Sequence, residues 1–288
     1  MKRSDALLLL LLAALWGGSY LFMRIAAPVM GSFFTMSLRT SAAAVMLFAY
    51  GAATGSLPDL RKRWKDYAAL GFFNCALPYI LIANAVTRLN ASLAAVINAT
   101  TPLFTAVVAA AWIKERFGPR RAAGVLAGLA GVAILVGLSD FEPSPAVLGA
   151  AAQALLAAFS YGIAGVLSRV RFRDTPAFHV SFGQMAAAAA LLLPAAVPFA
   201  PSRVPPASAF FAVAALAVFS TVGAYLIYFR LITRIGAVGT STVTFLVPFF
   251  SILWGVLFLG EPLGVGLFAG LAVILGSVWL VMGGRRAG

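Results

Sequence analysis

Hydrophobic residues form ten long runs along the chain, separated by short segments that carry charge, proline or glycine. The runs cover roughly residues 5–24, 32–53, 67–87, 91–113, 120–138, 146–168, 177–199, 207–229, 237–259 and 263–283. Each run is close to the roughly 20 residues that an α-helix needs to cross the hydrocarbon core of a bilayer. The pattern therefore predicts an all-α polytopic membrane protein with ten transmembrane helices, and the segments between them are too short to fold as domains.

Composition supports a membrane protein and disfavours an enzyme. Of the 288 residues, 62% are hydrophobic and only 10% are charged, whereas soluble domains average roughly 45–50% apolar and about 25% charged residues. The chain has one cysteine and one histidine, and it contains neither an H-E-x-x-H nor a G-x-S-x-G motif. Metal clusters, disulfides and the common hydrolase sites lack the residues that they need. We therefore expect no catalytic residues, no bound metal and no cofactor.

The basic residues predict the orientation of the chain in the membrane. With loops assigned alternately to two sides, 17 of the 21 Lys and Arg residues fall on the side that holds both termini, and three fall on the other side. Cytoplasmic loops are enriched in Lys and Arg, so both termini are predicted to be cytoplasmic. The net charge of +13 then indicates contact with anionic lipids at the cytoplasmic face, and no nucleic-acid partner is expected.

The two halves of the sequence repeat each other at an offset of 146 residues. Eight identities fall in this one ungapped register, including Tyr79 on Tyr225, Arg88 on Arg234, Pro102 on Pro248, Glu115 on Glu261 and Gly124 on Gly270. We predict a first five-helix repeat over residues 1–140 and a second over residues 141–288. Because five is odd, the second repeat is inverted in the membrane, which is the architecture of transporters that expose one central site alternately to each side. One chain holds both halves, so a monomer is sufficient for function.

Several motifs then resemble those of a known family. They are Trp16 to Ser19 in the first run, Arg39 in the second, the segment 89–102, and Glu115 followed by Gly124, which recurs as Glu261 and Gly270. Together they resemble the ten-helix drug/metabolite transporter superfamily, EamA-type. The resemblance implies a plasma-membrane exporter or permease, in the inner membrane of a bacterium, with a central cavity lined chiefly by helices 1, 3, 4, 6, 8 and 9. Within the family, the chain most resembles exporters of aromatic and other neutral amino acids.

Polar residues inside the apolar runs are the first candidates for binding a substrate, because they are costly in lipid. Tyr79 pairs with Tyr225 across the repeat, and Asn98 pairs with Thr244; Thr101 lies beside Asn98 on the fourth run. We predict that these five residues line the cavity. Helix-to-helix hydrogen bonds are the alternative for the Asn and Thr residues, and a position in the interfacial aromatic belt is the alternative for the tyrosines.

Three aromatic residues complete the predicted substrate site. Trp16, Tyr161 and Trp254 lie on the first, sixth and ninth runs, which the family uses for its cavity. Flat aromatic rings can stack on a substrate that carries a ring. The alternative for any one of them is a position that faces lipid.

Structural roles are predicted for five further residues. Pro102 and Pro248 are placed as kinks, with a hinge or a broken helix as the alternative. Arg39 is predicted to bond to backbone carbonyls at a helix end, although it could also attract a carboxylate or phosphate. Gly124 and Gly270 are predicted to let helices approach closely inside the fold, with dimerisation as the alternative.

The acidic residues argue against proton coupling through the core. All eight fall in loops or at the ends of the predicted helices: Asp5, Asp59, Asp66, Glu115, Asp140, Glu142, Asp174 and Glu261. Proton-coupled pumps usually carry a buried Asp, Glu or His, so we expect a neutral or zwitterionic substrate and facilitated or exchange-driven transport. We expect Glu115 and Glu261 to cap helices that begin near Gly118 and Pro262.

Other functions remain open at this point. The chain could carry nucleobases, sugar phosphates or drug-like compounds, or it could be a proton-coupled antiporter. An intramembrane lipid-modifying enzyme is the alternative from another class, but its best nucleophile, Cys75 beside Tyr79, lacks a base. The leading prediction is a transporter of small neutral or zwitterionic metabolites, including aromatic amino acids, that works by alternating access.

Overall fold

Ten helices long and apolar enough to cross a membrane make up the structure. The computed structural model describes residues 2–139 and 144–282, apart from the side chains of residues 237 and 238, and this part of the chain contains no strand. We number the helices as spans 1 to 10: Arg3–Met30, Ser32–Ala53, Arg61–Ala85, Ala91–Ile113, Pro119–Gly137, Pro145–Arg171, Ala177–Phe199, Ala207–Gly236, Gly239–Leu259 and Val265–Met282. The prediction of ten helices is confirmed.

Four spans are longer than the apolar runs that predicted them. Span 1 continues through Arg24 to Met30, span 3 begins at Arg61, and spans 6 and 8 continue through arginines at their basic ends. Charged residues end an apolar run, but arginine is a good helix former and does not end a helix. Two of these helices end or break at a glycine instead. Gly31 after span 1 and Gly236 in span 8 have φ angles of 75° and 74°, a conformation that glycine adopts at little cost.

Spans 3 and 8 each contain a π-helical turn at equivalent positions of the two repeats. The turn in span 3 covers Phe72–Ala76 and leads into an α-helix over Leu77–Ala85. The turn in span 8 covers Val218–Gly223 and is followed by an α-helix that begins at Ala224. The two turns begin 146 residues apart. Such turns re-aim the side chains around them and occur frequently at functional sites.

The two repeat-related prolines lie in different local structures. Span 4 consists of two α-helices, Ala91–Asn98 and Thr101–Ile113, and Pro102 lies in the first turn of the second. A proline is well tolerated there because its missing N–H would have no partner within the helix. Pro248 lies inside a continuous helix, Val243–Leu259. The interruption of span 4 therefore has no equivalent at Pro248, and the functional role of either proline stays a prediction.

Spans 5 and 10 pack closely against each other through glycines. A Cβ atom added to Gly124 would lie 2.6 Å from Val281 Cγ2, and one added to Gly270 would lie 2.9 Å from Leu135 Cα and 3.0 Å from the carbonyl oxygen of Gly131. Both glycines thus contact other spans of the same chain. The predicted repeat boundary between residues 140 and 141, together with Asp140 and Glu142, lies outside the described residues.

Candidate functional site

A group of polar side chains lies within the helix bundle, and all of them are buried except Asn98 and Tyr161, which are half-buried. We call it the central cluster; its members come from spans 1, 2, 3, 4, 6, 7 and 8 and are Tyr20, Arg39, Cys75, Tyr79, Asn98, Tyr161, Gln184, Thr221 and Tyr225. Four of them, Asn98, Tyr79, Tyr161 and Tyr225, are predicted substrate-binding residues. The side chains of the two repeats therefore meet at one place.

Tyr79 and Tyr225, the repeat-related pair, are in contact through their hydroxyl groups. Each is 8% exposed, and the two hydroxyls share a hydrogen bond. The Cys75 thiol also hydrogen-bonds to both hydroxyls. Each tyrosine lies just after the π-helical turn of its span, so the two equivalent turns bring the two rings together.

Amide side chains extend this network towards span 7. Gln184 Nε2 donates to the hydroxyl oxygen of Tyr225 at 3.3 Å, and Gln184 Oε1 accepts from Asn74 Nδ2 at 2.8 Å. Gln184 is 3% exposed. A buried amide in the bilayer needs partners for both of its polar atoms, and these two contacts provide them.

Arg39 is buried in the cluster. It is 3% exposed, its Nε donates to Thr221 Oγ1 at 3.0 Å, and its guanidinium carbon lies 4.0 Å from the centre of the Tyr79 ring. A hydroxyl group and an aromatic face thus contact this cation. The contact with Thr221 joins span 2 to the π-helical turn of span 8. The sequence had predicted that Arg39 would bond to backbone carbonyls, but this partner is a side-chain hydroxyl.

Asn98 lies at the interruption of span 4. Its side chain hydrogen-bonds to Tyr20, while its Oδ1 atom is buried and has no hydrogen-bond partner in the described part of the chain. The hydroxyl of Thr101 donates to the backbone carbonyl of Asn98 at 2.7 Å. The cluster thus contains a buried acceptor that no described donor satisfies, on a side chain that has Tyr20 as a neighbour in common with Arg39.

The remaining predicted residues lie around the cluster or away from it. The Trp16 ring packs 5.7 Å from the Tyr228 ring, and Trp254 Nε1 donates to the carbonyl oxygen of Ala14 at 3.0 Å, joining span 9 to span 1. Thr244 is exposed, and its hydroxyl donates to the Ser241 carbonyl one turn earlier. The structure does not bring Thr244 into the cluster. The binding roles of all these residues stay predictions.

Sequence reasoning missed four members of the cluster as binding candidates: Tyr20, Cys75, Gln184 and Thr221. Gln184 was a usable signal, because it is a polar residue in the middle of an apolar run. The π-helical turn that presents Thr221 has no recognisable sequence pattern. Tyr20 could not be distinguished from an interfacial tyrosine by its position alone.

Glu261 caps a helix, but not the one that the sequence indicated. Its Oε1 accepts from the Ala91 amide at 2.6 Å, and its Oε2 accepts from the Ser92 amide at 3.0 Å and from the Ser92 hydroxyl. The carboxylate thus holds the N-terminus of span 4, where unpaired N–H groups and the helix dipole favour an anion. Glu115, its repeat mate, forms ion pairs with Arg169 at 2.8 Å and with Arg121 at 3.7 Å. The expectation that Glu261 caps the helix following it is corrected by these contacts; the expectation for Glu115 stays a prediction.

The described carboxylates lie at the ends of the spans or in the loops between them. Asp5 pairs with Arg234 at 3.1 Å and Asp66 with Arg63 at 3.3 Å, both at the end that carries most of the basic residues. Two surface recesses, of about 460 and 570 Å³, lie at the opposite end, beside Asn84 and beside Glu261. In the described ranges 2–139 and 144–282, the central cluster therefore contains one cation and no carboxylate.

Comparison with known proteins gives the family. The model of the EamA-like transporter family matches residues 4–137 and again residues 148–283. The chain belongs to the EamA-like transporter family. The double match agrees with the internal repeat of this fold, and the resemblance seen in the sequence is confirmed. The family and the bacterial relative below carry the names of transporters, and the chain is a multi-pass membrane protein.

Individual relatives are similar over most of the chain. A WAT1-related chloroplast protein of Arabidopsis thaliana is 28% identical over 92% of this chain, which spans 66% of that protein's length. The uncharacterized transporter YvbV of Bacillus subtilis is 26% identical over 97% of this chain and 92% of its own length. A crystal structure matches with a TM-score of 0.68 at 24% identity and covers 99% of both chains, which supports the fold.

Proposed function

We propose that this EamA-family transporter exports small neutral or zwitterionic metabolites, and that its substrates are amino acids, including aromatic ones. The observation that supports this most is the chemistry of the central cluster. Its groups are hydroxyls, amides, aromatic faces and one arginine, while the described carboxylates lie at the span ends or in loops. Such a site offers hydrogen bonds and a single positive charge, and a hydrophobic cation would find no counter-ion in it.

Aromatic substrates are favoured by the rings around the cluster. Tyr20, Tyr79 and Tyr225 belong to one buried apolar cluster, and Trp16 and Tyr161 pack against it. Offset stacking between aromatic rings contributes about 0.5–1.5 kcal/mol beyond the area that it buries. The same rings also accept aliphatic side chains, so we propose neutral amino acids as a class.

Alternating access is supported by unequal contacts at equivalent positions of the repeats. Ser251 Oγ donates to the Ala91 carbonyl across spans at 3.2 Å, whereas its mate Thr105 donates within its own helix at 2.9 Å. The structure thus joins span 9 to the start of span 4 at one end of the bundle. We propose that the second state exchanges these contacts between the repeats.

The proposed setting is the inner membrane of a bacterium, with both termini cytoplasmic. The basic ends of the spans then face the anionic lipids of the cytoplasmic leaflet. Both repeats contribute side chains to the central cluster, which supports a functional monomer.

Transport by the purified protein in proteoliposomes tests this function. We expect saturable uptake of radiolabelled phenylalanine, and separately of threonine, whose rate does not change when a pH or sodium gradient is imposed. The reason is that the cluster offers no carboxylate to carry a proton. Tyr79→Ala is expected to lower uptake at least tenfold, because it removes the ring under Arg39 and the partner of Tyr225.

The control is Tyr50→Ala, an exposed tyrosine on span 2, which is expected to transport normally. Strict dependence on a proton gradient would identify a proton-coupled antiporter instead. Failure of both amino acids in active vesicles would contradict the proposed substrate class.

A further inference from the structure

Arg39 carries a buried charge that the described part of the protein does not neutralise. Its contacts are one hydroxyl, through Nε, and one aromatic face. The described carboxylates lie at the ends of the spans or in loops, where most of them pair with a basic side chain or with the start of span 4. A charged side chain within a membrane bundle is costly, and it marks a functional site when it faces the interior.

The orientation of Arg39 leaves its terminal nitrogens available. Thr221 accepts from Nε, and the Tyr79 ring contacts one face of the guanidinium. Neither contact uses Nη1 or Nη2, whose four N–H groups form the planar edge that binds a carboxylate in a bidentate manner. The two existing contacts fix the plane of the guanidinium and so prepare it for an anion.

A second unsatisfied group is connected to this cation through Tyr20. Tyr20 interacts with Arg39 and is hydrogen-bonded to Asn98, and the buried Asn98 Oδ1 atom has no described partner. An unmade hydrogen bond at a buried acceptor costs about 1–3 kcal/mol. The acceptor Asn98 Oδ1 and the cation Arg39, in one cluster, are complementary to a ligand that carries both a donor group and an anion, as an α-amino acid does.

We propose that Arg39 binds the carboxylate of the transported substrate and that Asn98 Oδ1 accepts from its amino group. This assignment rests on the proposed function and names the chemical class that the site selects. A single arginine balances one negative charge, which fits a carboxylate. A phosphate carries nearly two charges at neutral pH, and the central cluster offers no second basic residue to balance it. The ring-lined part of the cluster then receives the side chain of the amino acid.

Ligands that come in pairs, a carboxylic acid and the corresponding amide, test this assignment with the purified protein. The midpoint of thermal unfolding in detergent is titrated with phenylalanine and phenylalaninamide, with benzoate and benzamide, and with inorganic phosphate. We expect each acid to stabilise the wild-type protein at concentrations at least tenfold lower than its amide. Arg39→Gln is expected to abolish this preference, and Arg39→Lys to retain part of it, since lysine keeps the charge without the planar edge.

Matched variants separate binding from folding. Arg88→Gln removes an exposed arginine and is expected to keep the full acid preference. Thr221→Val removes the contact that Arg39 makes across spans and is expected to lower the unfolding midpoint and to weaken, without abolishing, the preference for acids, because the charge remains while the guanidinium plane is no longer fixed. If Arg39 only joins span 2 to span 8, Arg39→Lys and Thr221→Val would lower stability equally and leave the acid-to-amide ratio unchanged, which would overturn the assignment.

The remaining outcomes are also decisive. Stabilisation by benzoate but not by phenylalanine would support the carboxylate site and contradict the proposed amino-acid substrates. Equal effects of acids and amides, stabilisation by phosphate in preference to the acids, or no effect of any acid on the wild-type protein would each overturn the assignment.

Discussion

Replacing Gly270 with alanine is expected to destabilise the protein, although the same change usually stabilises a helix. The new Cβ atom would lie 2.6 Å from Leu135 Cβ, 2.9 Å from Leu135 Cα and 3.0 Å from the Gly131 carbonyl oxygen. These are largely backbone contacts, so spans 5 and 10 must separate to admit the methyl group. Overpacking of this kind costs about 1–3 kcal/mol, and the measurement is the midpoint of thermal unfolding in detergent.

Gly276 provides the matched control on the same span. A Cβ atom at Gly276 meets no atom within 4 Å, and alanine is favoured over glycine in a helix by about 1 kcal/mol. Gly276→Ala should therefore leave the midpoint unchanged or raise it slightly. If the two substitutions changed the unfolding midpoint equally, the close packing of spans 5 and 10 at Gly270 would be contradicted.

Replacing Glu261 with glutamine is expected to loosen the start of span 4. The carboxylate accepts three hydrogen bonds, from the amides of Ala91 and Ser92 and from the Ser92 hydroxyl. An amide side chain keeps one acceptor oxygen and turns an NH₂ group towards the remaining donors. Hydrogen bonds to a charged acceptor contribute about 1.5–3 kcal/mol each, so we expect amide hydrogen exchange in a peptide covering 89–98 to become at least tenfold faster.

Asp59→Asn serves as the control for loss of a carboxylate. Asp59 is an exposed residue that pairs with Lys62 at 3.6 Å, and exposed pairs contribute little to stability. We expect this variant to leave exchange in residues 89–98 unchanged. If Glu261→Gln also left it unchanged, the long-range cap of span 4 would be contradicted.

The sequence predicted the number and order of the helices because a span must be apolar over about 20 residues. It misplaced the ends of span 1 and span 8, since Arg24 and Arg230 continue their helices while Gly31 and Gly236 end or break them. Hydropathy reports where a chain enters lipid. It does not report where helical hydrogen bonding stops.

The candidate site could be predicted only where the repeat supplied a second signal. The 146-residue register pairs Tyr79 with Tyr225, and their hydroxyls share a hydrogen bond. The same register pairs Asn98 with Thr244, yet only Asn98 lies in the central cluster. The repeat predicts that the two halves have similar folds. It does not predict that equivalent residues, such as Asn98 and Thr244, have the same neighbours, because a single conformation of an inverted repeat is not symmetric.

Contacts between distant segments were beyond the sequence. The N–H groups at the start of span 4 donate to Glu261, which lies 170 residues further along the chain. Local pattern reasoning assigned that carboxylate to the adjacent helix. The π-helical turns at Phe72–Ala76 and Val218–Gly223 also escaped prediction. They depend on packing between spans, which residue spacing along one helix does not encode.

The central claim is that substrate passes through the central cluster, and Cys75 tests it directly. Cys75 is the single cysteine of the sequence, is fully buried and hydrogen-bonds to Tyr79 and Tyr225. We expect methyl methanethiosulfonate to modify it in proteoliposomes during turnover at phenylalanine concentrations well below saturation, and to stop transport. Saturating phenylalanine should slow this modification at least tenfold, and Cys75→Ser should be insensitive to the reagent. Absence of modification during turnover, a rate that substrate does not change, or full transport by the modified protein would contradict the account.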